Sequence, residues 1–176
     1  MRIQFNFRVK NRYFNIVFTI ILITIALASI LFIRPQLHEK EKEKFASFEI
    51  DNLSVAQIVD GKDSCWESGT RYSLHGGGSS QTDYDNGKFS MEKISGIKTI
   101  SSTLLKSGTL TLEIESKLDS GEMKIVLIQG NEIIEYIQPG VKVTRTFTTS
   151  KNSKFYVKIL CEQATNVEIA INRHID

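Results

Sequence analysis

Reactive side chains are scarce in this chain. Its 176 residues include two cysteines, two prolines, three histidines and one tryptophan. His38, His75 and His174 stand singly, and no C-x-x-C or H-x-x-x-H spacing occurs, so neither a metal set nor a cofactor is expected. There is no G-x-S-x-G nucleophile elbow. His75-Gly76-Gly77-Gly78 therefore reads as a flexible glycine loop, although it copies the oxyanion loop of some hydrolases. Acidic residues are absent before Arg34, while the chain from Pro35 onward carries 17 basic against 20 acidic residues. Nucleic-acid binding needs a basic stripe, so a net charge of about −3 with His neutral excludes nucleic acid as a partner.

What the sequence does have is a long apolar run. Tyr13 to Ile33 is uncharged and interrupted only by Asn15, Thr19, Thr24 and Ser29. At ~1.5 Å per helical residue, about 20 residues cross a ~30 Å hydrocarbon core. A cleaved signal peptide is the rival reading, with Ala26-Leu27-Ala28 as its cut site. Ile30 to Ile33 continue the run past that cut, which favours an uncleaved signal-anchor. Arg2, Arg8, Lys10 and Arg12 precede the run, and Arg34, Lys40, Lys42 and Lys44 follow it. That count is a tie, and the acid-free first segment decides for a cytoplasmic N-terminus and an extracellular C-terminal domain. The organisation expected is a basic cytoplasmic tail (1–12), a single transmembrane helix (13–33) in contact with the lipid bilayer, a charged stalk (34–44) and an extracytoplasmic domain (45–176).

From Lys88 onward the pattern is that of strands. Leu110, Leu112 and Ile114 alternate with Thr111, Glu113 and Glu115. Phe155, Val157, Ile159 and Cys161 share one face of a later segment, and Val167, Ile169 and Ile171 repeat the pattern at the C-terminus. Period-two alternation marks strands with one buried face. Met123 to Ile128 is continuously apolar and predicts a central strand buried more fully. Turn signals separate these runs at Lys106-Ser107-Gly108, Asp119-Ser120-Gly121, Gly130-Asn131, Pro139-Gly140 and Ser150 to Ser153. Phe45 to Gly87 is less regular and predicts one or two edge strands and long loops. The fold expected is mainly β, an antiparallel β-sandwich of jelly-roll-like form.

The stretch SGTLTLEIESKLDSGEMKIVLIQGNEIIEYI followed by KFYVKILCEQATNVEIAI resembles a membrane-anchored extracytoplasmic β-sandwich module of bacterial envelope proteins. That module shares a G-T-L-x-L strand, a G-x-x-K-I-x-L strand and a late Y-x-I-x-I strand. The resemblance covers residues 97–171 and implies an anchored or secreted sandwich, with no functional residues carried over.

Several constellations invite a chemical reading. Cys65 and Cys161, in an extracytoplasmic domain, read first as one disulfide; two buried free thiols is the other reading. Trp66, Tyr72 and Tyr84 can form an aromatic platform for a sugar, or Trp66 can pack over the disulfide as core. Asp83-Tyr84-Asp85-Asn86-Gly87 holds two carboxylates at calcium-loop spacing, but it lacks the later ligands, and Asn86-Gly87 is a strong hairpin turn. His75, Cys161 and Arg173 occur in the order of the sortase His, Cys and Arg, in which a thiolate attacks an acyl carbon. Sortases resemble this chain in having an anchor and a β-barrel, yet their T-L-x-T-C motif is here Val157-Lys158-Ile159-Leu160-Cys161. The reading that results is a non-catalytic binding or interaction module of the cell envelope, whose partner is an envelope protein or a cell-wall glycan. A glycan-binding module at Trp66, Tyr72 and Tyr84 is one alternative, and a sortase-like cysteine transpeptidase is the other. A protein partner predicts an exposed strand edge or apolar patch within Phe45–Gly87.

Overall fold

The computed structural model describes residues 7–29, 34–60, 62–77, 83–105, 107–149 and 153–176. The chain divides into two compact units, residues 1–42 and 43–176. In the first, helix α1 (Phe7–Ala28) carries most of the apolar run. Nine large apolar side chains from Ile16 to Leu27 are each about half exposed. Thr24 and Ser29 donate their hydroxyls to the Ile20 and Ile25 carbonyls at 2.8 Å, so these polar groups are satisfied within the helix. Among the described residues no helix is long and apolar enough to cross a membrane. Residues 30–33 of the expected span lie outside that set. The Glu/Lys stalk is helical within α2 (Arg34–Ala46).

The β-structure is one continuous antiparallel sheet folded on itself into two facing layers. Its strands are β1 (Ser64–Ser68), β2 (Arg71–His75), β3 (Asn86–Leu104), β4 (Gly108–Lys117), β5 (Ser120–Gln129), β6 (Glu132–Ile137), β7 (Val143–Thr149) and β8 (Lys154–Ile175). The two long strands, β3 and β8, pass through both layers. One layer runs β6–β5–β8–β3–β1 through the C-terminal part of β3 and the N-terminal part of β8. The other runs β7–β4–β8–β3–β2 through the remaining halves. Both strands bend where the layers meet. β3 carries a bulge between Ile94 and Gly96, and β8 places Gln163 and Asn166 in left-handed conformation at φ 48° on either side of buried Ala164. The sequence predicted two strands over 155–161 and 167–171, and the structure joins them into β8 through this corner. Gly130-Asn131 and Pro139-Gly140 fall between strands, whereas Gly108 and Ser120-Gly121 already belong to the first residues of β4 and β5; residues 106 and 150–152 lie outside the described set.

The core lies between the layers. Met123, Ile125, Leu127, Val157 and Ile159 come from one layer, and Leu110, Leu112, Ile114, Ile169 and Ile171 from the other. Fully burying such a side chain contributes roughly 1.5–3 kcal/mol. The predicted central strand has both faces covered, because Val126 and Ile128 pack outward against Ile50 and Ile58. Those two residues belong to a strap, residues 48–60, that closes the outer face of the first layer. The strap includes the short helix α3 (Val55–Val59), capped by Ser54, whose hydroxyl accepts from the Gln57 amide. Lys158, buried on β8, donates its ammonium to the Ile58 and Val59 carbonyls at 2.9 and 3.2 Å and so caps the other end. Asp51 pairs with Lys124 at 2.9 Å, and the Ile50 amide donates to Glu162 at 3.0 Å.

Candidate binding face

The expected disulfide is not formed: Cys65 and Cys161 are both free thiols. Sheet geometry gives the reason. Both cysteines pair with Gly96, Cys65 from β1 and Cys161 from β8, so a whole strand separates them. Two strand spacings amount to about 10 Å, whereas bridged cysteines have α-carbons within roughly 7 Å. Burial pushes the Cys161 thiol up to about 12, and it also raises Cys65, so both keep their protons at neutral pH.

Nor do the three aromatic residues form a platform. Tyr84 is 1% exposed, its hydroxyl donates to the Ile100 carbonyl, and burial pushes its phenol above the ordinary range. Gly87 makes this possible, because a side chain there would collide with the Tyr84 ring. Trp66 is half-buried, edge-on to Phe45 at 5.2 Å between ring centroids. Tyr72 alone is well exposed, at 55%, on β2. Asn86-Gly87 is no hairpin tip but the start of β3, paired with His75 and Leu74. Asp83 accepts from the Arg173 guanidinium at 2.7 Å, and that arginine is buried with its charge 5.9 Å from the centre of the Tyr84 ring. The Asp83–Asp85 carboxylates thus serve a core arginine. The sortase-like trio is also dispersed. His75 pairs with Asn86, which pairs with Asn172, eleven residues along β8 from the sealed Cys161.

What the fold does build is an open groove on the outer face of the second layer. The strap covers the outer face of the first layer, and the second has no such cover among the described residues. Cross-strand register sets two rows of outward side chains: Arg71, Ser90, Glu168 and Lys117, then Ser73, Lys88, Ala170 and Glu115. The small side chains of Ser73, Ser90 and Ala170 leave a concavity of about 680 Å³, which Lys142 and Tyr72 also line. A second depression of about 530 Å³ follows on this face, lined by Asn86, Asn172, Glu113 and Thr111 among others. The groove is therefore floored by the Ser73 and Ser90 hydroxyls and the Ala170 methyl, is edged by charges, and leads toward the amides of Asn86 and Asn172. Alternation had already marked Glu113 and Glu115 as outward. Which residues of β2, β3 and β8 lie beside them depends on strand order, which periodicity does not encode.

No protein-family model and no curated protein matches the chain. Solved structures of similar shape include the secreted serine protease VesC from Vibrio cholerae, at TM-score 0.38 and 7% identity over 69% of this chain and 26% of that one. This chain thus spans about a quarter of that protease's length. The module TmCBM61 in complex with β-1,4-galactotriose gives 0.37 at 10% identity, covering 65% and 88% of the two chains. A carbohydrate-binding module of Cellvibrio mixtus lichenase 5A with cellotriose gives 0.33 at 15%, covering 60% and 88%. At these scores none of them bears on what this chain binds.

Proposed function

We propose that this chain is a non-catalytic binding module whose ligand, a glycan chain, lies along the outer face of the second layer. The observation that carries the reading is the groove of about 680 Å³ on a face left open, with Ser73, Ser90 and Ala170 as its floor. Hydroxyl and carboxylate groups of this kind hydrogen-bond sugar hydroxyls, and an open-ended groove admits a polymer. The sealed, protonated Cys161 supports a binding rather than a transpeptidase role, since the thiolate is the nucleophile. For a protein partner, β1 and β2 within 45–87 each pair with β3 alone among the described residues and so present strand edges, but the well-exposed large apolar side chains there, Val55 and Tyr72, stand on separate elements and form no patch.

Binding of full-length protein to a panel of neutral, amino and acidic glycans tests this. Ser90→Trp, which fills the floor, is expected to lower binding at least tenfold without changing the melting temperature by more than a few degrees. Undiminished binding by this variant contradicts the groove as the site.

The same proposal places the module outside a cell membrane, held by the run 13–33 with its N-terminus in the cytoplasm. Support comes from the half-exposed apolar side chains of α1, which surround the helix without a polar stripe. Carbonate extraction is expected to leave the protein in the membrane pellet, and removal of residues 13–33 is expected to release it.

A further inference from the structure

Resting on the groove reading above, we propose that the ligand is an anionic glycan whose acidic groups lie on Arg71 and Lys88. Four cations line the groove, Arg71, Lys88, Lys117 and Lys142, against the carboxylates of Glu115 and Glu168. Two of the four are neutralised: Lys117 pairs with Glu168 at 3.1 Å, and Lys142 pairs with Glu113 at 3.4 Å. Arg71 and Lys88 have no carboxylate partner among the described residues, although residues 35–176 hold more acids than bases. They lie diagonally on β2 and β3, since Arg71 pairs with Ser90 and Ser73 with Lys88. Diagonal neighbours stand roughly 7–8 Å apart at the backbone, within reach of one anion shared by two long side chains. Arg offers a planar fork and Lys a mobile point charge, a combination suited to a carboxylate or phosphate oxygen pair.

The far wall favours a sugar backbone. Glu115 lies across Ala170 from Lys88 and has no ion-pair partner among the described residues, so it is free to accept hydroxyl protons. The Ala170 methyl floors the groove between them, and the Ser73 and Ser90 hydroxyls lie beside Lys88 and Arg71. A uronate carboxylate and a backbone phosphodiester share the chemistry that Arg71 and Lys88 require.

Affinity electrophoresis of the full-length chain is the test, using polygalacturonate, poly(glycerol phosphate), neutral galactan and poly-glutamate. Retardation is expected by polygalacturonate or poly(glycerol phosphate), the stronger of the two identifying the anion, with several-fold weakening between 50 and 300 mM salt. Arg71→Ala with Lys88→Ala is expected to lose at least tenfold, while Lys62→Ala leaves binding unchanged. Equal retardation by galactan, untouched by the double variant but lost in Ser90→Trp, overturns the anionic assignment and keeps the groove. Binding untouched by both variants overturns the groove itself. Preference for poly-glutamate, or binding to none of the four, also overturns the proposal.

Discussion

Cys65 and Cys161 face each other across Gly96, which has no side chain to put between them. Gly96 sits at φ 122°, and a β-carbon there would collide with the Ser64 carbonyl and the Cys65 α-carbon. The glycine allows β1 to close against β3 at the corner. It also places the two thiols on the same face of neighbouring strand pairs, yet too far apart to bond. Native intact mass is therefore expected to show two free thiols without reductant. Labelling should be slow at half-buried Cys65 and negligible at Cys161 until the protein is denatured. A native mass lower by two hydrogen atoms, restored by reductant, contradicts this.

Stability should fall in alkali through the same residue. The folded Cys161 thiol titrates at about 12, against an ordinary 9.0. A raised value in the folded state means its contribution is fully present below pH 9 and is lost between pH 9 and 12. Tyr84, also raised by burial, adds to the loss from about pH 10 upward. The loss is on the order of a few kcal/mol. Urea midpoints at pH 7 and 8 are expected to agree and the midpoint at pH 10.5 to fall below both, and Cys161→Ala should flatten the decline. An equal decline in that variant contradicts the assignment.

The strap is a second lever. Ile58 fills the outer face of the first layer beside Val126 and Leu160, and Lys158 binds the carbonyls at the end of its helix. Ile58→Ala should cost about 3 kcal/mol. It should also make residues 48–60 the first site of limited proteolysis. Unchanged protease resistance there indicates that the strap adds little to the first layer.

Alternation and turn chemistry made most of the β-structure legible. Leu110, Leu112 and Ile114 point inward as their period requires, and Gly130-Asn131 and Pro139-Gly140 separate strands. The corner of β8 was hidden, because Glu162 to Asn166 contains no glycine or proline and bends through left-handed Gln163 and Asn166 instead. Tyr84 reads as a loop aromatic in the sequence. Only the absent side chain of Gly87, three residues on, lets its ring turn into the core. The groove was hidden for a different reason. Arg71, Lys88, Glu168 and Glu115 are remote in sequence and become neighbours only when the first half of β3 pairs with the second half of β8.

The most direct test of the binding face is hydrogen–deuterium exchange on full-length protein, with and without the tightest-binding glycan of the panel. Protection confined to residues 71–73, 88–90, 115–117 and 168–170 is the expected result. Protection at Trp66 and Phe45, with those four segments unchanged, places the ligand elsewhere and contradicts the account.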